Sequence, residues 1–495
     1  MRLVVFGLAF GALVLCGSGY ERVCAGDDAP AEVADLATRR GSDWPGFLGP
    51  HRDSRSPETG IRTSWPATGP PLVWQAALGE GYAPPAVSRG RLLHFDAFGN
   101  EERLTCRHSE TGEVLWTYSY RFEYEDLYQY AAGPRCSPVV DDDRVYIFGV
   151  EGELHCVRLI DGRPLWKVDT ARRFGVVQNF FGVGSTPLVE GDLLIVQVGG
   201  SPPESQRVAP GQLDLVRGNG SGVVAFDKLT GEVRYQLSDE LASYSSPTVA
   251  TIDGRRWCFV FARGGLLAFE PASGRLDFHF PWRARVLESV NASNPVIDGG
   301  RVFISETYGP GSALLRTRPG NYEVVWSDNP RAREKALQTH WNTPVLHEGH
   351  LYGSSGRSSH EAQLRCIEWE TGAVRWSQQG LGLASLLYVD GHLVCLTEYG
   401  DLLLLRATPE KFDVVSAAVL RGPPPRATAG EQGAGDPPAA QREGTLPQDG
   451  DDPQEAVGGR LISYPAWAAP ILARGLLYVR GQRRLACLEL IPESP

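Results

Sequence analysis

The sequence has a single methionine in 495 residues, set against 57 glycines and 36 prolines. Helix interiors want strong helix formers and few breakers, so this balance excludes an all-helical protein. A basic excess is also missing: Lys plus Arg is 48, Asp plus Glu is 59, and the net charge is −11. A nucleic-acid binder needs a cationic face to neutralise phosphates, so that partner class is excluded too. Beyond residue 25 no stretch reaches the roughly 18 apolar residues that cross a bilayer as a helix. The mature chain is therefore expected to carry no transmembrane segment. What is present is 42% hydrophobic residues and 12 tryptophans, enough for a large core. The composition reads as an acidic, turn-rich β protein. The length allows two or three domains, or one array grown by repetition.

Residues 1–25 read as a secretion signal, with Arg2 as the positive start, Leu3 to Leu15 as the apolar stretch and Val23 to Ala25 as the cleavage site. Cys16 is an unfavourable lipidation site because Leu15 precedes it where a small residue is wanted. The chain is expected outside the cytoplasm, periplasmic or secreted from a bacterial cell. Export would permit disulfides among the cysteines left after cleavage. The repeat register argues against them.

Self-similarity dominates the rest of the chain. Cys106, Gly112 and Trp116 form a triplet that recurs as Cys156, Gly162, Trp166 and as Ala225, Gly231, Tyr235. It recurs again as Ala268, Gly274, Phe278 and as Cys366, Gly372, Trp376. In all five the glycine lies six residues after the small residue, and the aromatic four residues after the glycine. A looser copy carries Gly320 and Trp326 with two extra residues between them. Each copy follows a proline that opens an apolar run: Pro85, Pro138, Pro187, Pro247, Pro295, Pro344 and Pro470. Their spacing is 48 to 60 residues until a final gap of 126. That gap holds one unit without proline, near Ser385, and a long insertion, which makes eight units.

Short runs rich in Val, Ile, Leu and Tyr, separated by Gly- or Asp-bearing turns, are antiparallel strands. About 50 residues hold four strands of five or six. One such sheet cannot bury both faces, so neighbours must stack radially. The expected fold is all-β: an eight-bladed β-propeller of four-stranded antiparallel blades spanning residues 71–490. Each turn-following tryptophan buries about 150–250 Å² between blades, worth at most roughly 4–6 kcal/mol. Trp116, Trp166, Tyr235, Phe278, Trp326 and Trp376 are assigned this docking role. The last unit, Pro470 to Leu490, has only three apolar runs, while Leu72 to Leu78 is an orphan run near the start. The orphan is expected to supply the missing outer strand and close the ring. Residues 26–70 are expected to form a strap laying its aromatics on the ring. Residues 421–459, poor in apolar side chains beyond alanine, read as a disordered insertion.

The small–Gly–Trp triplet resembles the PQQ-like, or quinoprotein-like, propeller repeat. The resemblance implies the fold and divides on function. Some family members are quinone-dependent dehydrogenases; others are binding scaffolds, among them a propeller lipoprotein of the outer-membrane barrel-assembly machine. The dehydrogenases use an adjacent-cysteine disulfide beside the quinone and hold Ca²⁺ with Glu and Asn. This chain has no adjacent cysteines and no Cys-x-x-Cys-His haem site. The resemblance therefore implies a noncatalytic scaffold with no cofactor, no metal and no catalytic residue, binding a protein, peptide or envelope polymer as a monomer. Its alternative is a PQQ- and Ca²⁺-dependent alcohol or sugar dehydrogenase with a divergent pocket.

Cys106, Cys156, Cys366 and Cys487 occupy small-residue positions and are expected to be buried free thiols. Asp141 to Asp143 and His347 to His350 fall at the turn between the first two strands of a unit, not at metal sites. Gly182 to Gly184 precedes a strand and offers no helix end for phosphate. The segments that enter each inner strand reach the rim of the central channel. Arg135, Asn179, Glu288, His340 and Trp341 are the candidate binding residues there.

Overall fold

The structure is a computed structural model that describes residues 20–22, 32–421 and 459–493. Both the expected signal segment, apart from Tyr20–Arg22, and nearly all of the insertion at 421–459 lie outside the described residues. Among the described residues there are eight antiparallel sheets arranged as blades. Blade 1 runs through Ala86–Ser88, Arg91–Phe98, Glu101–His108 and Val114–Arg121, and the others repeat that order. Blade 2 gains an extra edge strand, Tyr20–Arg22, beside Pro164–Asp169. The only α-helix among the described residues is one turn, Thr170–Phe174, capped by Asp169 and ended by left-handed Gly175.

The repeated triplet has a single geometric meaning. The small residue and the aromatic are cross-strand partners: Cys106 opposite Trp116, Cys156 opposite Trp166, Ala225 opposite Tyr235, Ala268 opposite Phe278 and Cys366 opposite Trp376. A bulge follows each pair, turning the aromatic toward the next blade. There the indole donates to a backbone carbonyl: Trp116 to Leu159 O at 2.9 Å, Trp326 to Trp369 O at 2.9 Å and Trp376 to Thr408 O at 3.0 Å. The next blade's glycine lies flat on the same ring. A Cβ on Gly162 would sit 2.5 Å from Trp116, and one on Gly372 2.8 Å from Trp326. Glycine is thus required both for its positive φ and for that close approach. Phe278 departs from the pattern. It has no donor, and it packs on Tyr322 at 5.2 Å rather than on Gly320.

Closure follows the same rule. Leu72–Ala77 pairs with Arg484–Glu489 as the outer strand of blade 8, and Trp74 stands opposite Cys487. Its indole donates to Ser109 O at 2.8 Å, and a Cβ on Gly112 would meet the ring at 2.8 Å. Trp74 therefore docks the last blade onto the first.

The strap fills one end of the channel. Trp44 exchanges backbone hydrogen bonds with Val87 and is buried. Residues 45–56 then rise inside the ring. Arg52 donates to Pro187 O at 2.7 Å and Pro247 O at 3.2 Å, and Arg55 to Leu346 O at 2.6 Å. Burial pulls the Arg52 guanidinium down to about 10, so it stays charged at neutral pH. Glu58, Asp35 and Asp43 together hold Arg474 at the last blade. Blade 7 has Ser416 where other blades carry the aromatic. The strap brings Trp65 there, its backbone N–H on Ser416 Oγ at 3.3 Å.

All seven cysteines of the described chain are buried and free. Burial pushes the thiols of Cys106, Cys156, Cys366 and Cys395 up to about 12, which leaves no reactive thiolate. The Asp141 to Asp143 segment is the expected turn, with Asp142 pairing to Arg89 at 2.9 Å and Asp141 to Lys228 at 2.7 Å. Asp143 itself is buried, not solvated.

Candidate functional site: an aromatic funnel

The strap enters from the end where the first two strands of each blade turn. At the opposite end the segments entering the inner strands surround an open cavity of about 390 Å³. Its floor is Phe47, Leu48 and Ser54 of the strap. Its walls come from the segments entering all eight blades, with the loops after the second strands of blades 6 and 7, and these differ in length and sequence, so no periodicity predicts them.

Aromatic rings touch one another around the wall. Trp467 is the hub, with centroids 4.9 Å from Tyr82, 4.9 Å from Trp341, 5.5 Å from Tyr130 and 6.0 Å from Tyr464. The chain continues from Trp341 to His340 at 4.8 Å, and from Tyr130 through Phe181 to Tyr244 at 5.9 and 5.6 Å. Tyr128, Tyr130 and Tyr464 remain 47–49% exposed, so the ring spills onto the rim. Exposed aromatics of this density mark a recognition surface.

Three of the expected residues meet here: Arg135, His340 and Trp341. Arg135 is clamped by Asp126 Oδ2 at 2.7 Å, Gly133 O at 2.8 Å and Ala131 O at 3.1 Å. Asp126 also accepts the backbone N–H groups of Tyr128 and Tyr130, so one buried carboxylate shapes the whole loop that presents them. His340 bonds the Tyr308 hydroxyl at 3.2 Å. Burial, aided by the charge of Arg357, pushes its imidazole down to about 4, so it is neutral at physiological pH.

Two expected residues lie elsewhere. Asn179 spends its side chain on Ala242 O at 3.1 Å and Phe180 N at 2.8 Å. It lines a second cavity of about 220 Å³ beside Leu213 and Val216, which belong to an insertion in blade 3. Glu288 is exposed and does not line the cavity; it lies near Tyr128 and Tyr308, whose hydroxyls burial pushes up, with its charge adding to the shift.

Sequence reading missed Tyr82, Tyr244, Arg357 and Glu398. Arg357 sits between two Ser pairs in a loop joining the middle strands of blade 6, a polar run that no repeat register marks. Its guanidinium lies over the Tyr308 ring at 4.6 Å. Glu398 is buried; its oxygens accept Leu383 N at 2.7 Å and Trp467 Nε1 at 3.4 Å.

A family model described as outer membrane protein assembly factor BamB matches residues 100–378, more than half of the chain. The chain belongs to that family. Among solved structures, BamB from Moraxella catarrhalis is 12% identical over 86% of this chain and 98% of its own, with a TM-score of 0.52. A quinohemoprotein alcohol dehydrogenase from Comamonas testosteroni is 11% identical over 92% of this chain and 81% of its own, with a TM-score of 0.57. Likeness at that identity shows the shared propeller fold and nothing finer. No curated protein matches the chain by sequence. No helix among the described residues is long and apolar enough to cross a membrane.

Proposed function

We propose that the protein is an exported, noncatalytic scaffold that grips a protein partner or envelope polymer in the aromatic funnel. The observation that carries this reading is the funnel itself: a deep cavity with a continuous aromatic lining and an exposed tyrosine rim. Such a surface supplies large contact area at low side-chain entropy cost, the composition of binding hot spots. Family membership supports a scaffold, and residues 1–25 support export.

The lining does not fit the quinone and Ca²⁺ of the dehydrogenases. Among the described residues no three His, Cys, Asp or Glu side chains converge to hold a cation. The funnel's buried carboxylate, Glu398, is already committed to Leu383 and Trp467. The chain is therefore proposed to work without a cofactor and as a monomer.

Crosslinking capture from bacterial envelopes tests the reading. The native protein should retain specific partners, and Trp341→Ala with Trp467→Ala should lose them while unfolding at nearly the native temperature. Unchanged capture by that double variant would overturn the funnel as the binding site.

A further inference from the structure

We propose that the funnel takes an aromatic side chain flanked by a carboxylate, presented by a polypeptide, with Arg357 as the selectivity residue. This rests on the funnel being the binding site. Most charged groups of the lining are already paired. The lining contains three charged side chains, Arg135, Arg357 and Glu398. Arg135 is saturated by Asp126 and two carbonyls, and Glu398 by two N–H groups. Asn342 is spent as well, accepting from His340 N at 3.3 Å and donating to Ala384 O at 2.8 Å. Arg357 differs from all three. Among the described residues it has a ring beneath it and neither a hydrogen bond nor an ion pair, and it is exposed to an incoming group. Glu288 stands near the same two tyrosines but forms no ion pair with it.

That accounting selects among ligands. A neutral polysaccharide could meet the lining hydroxyls of Ser359 and Ser385 and the unpartnered Nδ1 of His340, but it would leave Arg357 without an anion. An apolar ring needs only the Trp341–Trp467–Tyr464 walls, where tilted and edge contacts are favourable. One guanidinium, partly desolvated against Tyr308, then matches one carboxylate bidentately. The exposed Tyr128, Tyr130 and Tyr464 extend the contact beyond a single side chain, which suits a chain segment rather than a free small molecule.

Calorimetric titration of the purified full chain tests this with four probes: a blocked tetrapeptide carrying Asp next to Trp, the same peptide with Asn for Asp, indole-3-acetate, and chitotetraose. The acidic peptide should bind about tenfold tighter than its Asn counterpart, the scale of one charge-assisted pair. Arg357→Gln should erase that preference, bringing the acidic peptide down to its Asn counterpart, whereas loss of a merely structural arginine would weaken both alike and keep their ratio. Equal affinity of the two peptides overturns the assignment of Arg357. Indole-3-acetate binding as tightly as the acidic peptide overturns the polypeptide source. Binding of chitotetraose in place of the peptides overturns the ligand class. If no probe binds while the Trp341 and Trp467 double variant still loses envelope capture, the ligand class fails and the funnel survives. If capture also persists, the funnel itself fails.

Discussion

The two ends of the channel are built from the same eight blades and have been finished differently. At the strap end the cations that enter the ring or latch the last blade meet fixed acceptors: Arg52 and Arg55 take backbone carbonyls, and Arg474 takes Asp35 and Asp43. At the funnel end the aromatics meet mainly each other, and Arg357 meets only a ring. Saturated polar groups make a plug, because opening it would strand buried donors. Rings in mutual contact can exchange one aromatic neighbour for another at small cost. The difference teaches where partners belong in a closed ring.

Substitutions at the two ends should have unequal effects. Trp74→Ala removes the ring that docks blade 8 on Gly112 together with the bond to Ser109. It should cost about 3–5 kcal/mol in urea unfolding, the range for a buried tryptophan. A loss under about 1 kcal/mol would mean the latch is not what holds the ring shut. Arg52→Ala should cost about 2 kcal/mol by leaving the Pro187 and Pro247 carbonyls unpaired. Ligand affinity at the funnel should stay within twofold of native by calorimetry, since Arg52 does not line the cavity.

A pH profile probes the funnel side. Glu306 lies behind Tyr308, with one oxygen bonded to the Tyr308 N–H and the other without a partner. Burial raises its carboxyl from 4.5 to about 7. As pH rises between those values, the unfolded chain gives up this proton while the folded chain keeps it. Stability therefore falls through that window and levels off above it. Glu306→Gln lacks this penalty. It should match the native protein near pH 4.5 and exceed it at pH 8, read from thermal unfolding. A variant less stable than native at pH 8 would show that Glu306 is ionised in the fold and paired. The smallest stability effect belongs to Trp467→Ala, about 1 kcal/mol, because the ring stands at an open cavity rather than between blades.

How much was legible in the sequence follows from the same contrast. The docking contacts recur because each blade faces an identical neighbour, so Cys106, Gly112 and Trp116 reappear at fixed spacing and announce the ring and its closure. The funnel is made once, from loops of different length, and nothing in it repeats. Arg135, His340 and Trp341 were reachable only because they lie just before inner strands. Asn179 lies in a similar segment, but the helical turn Thr170–Phe174 and the insertion that carries Leu213 draw it into a second cavity. Arg357 and Glu398 follow second strands and have no counterpart in the register. Trp65 is brought to Ser416, the position of the missing docking aromatic, from 351 residues away, beyond any local pattern.

The latch strand also sets a timetable. Gln75 and Arg484, side by side in blade 8, are 409 residues apart in the chain. At the roughly 5–20 residues per second of synthesis, the latch strand waits about 20–80 s for its neighbours. Through that interval an edge rich in Leu72, Val73 and Trp74 is unpaired. Such an edge invites mispairing, and holding it harmless until the C-terminus emerges is work for a chaperone.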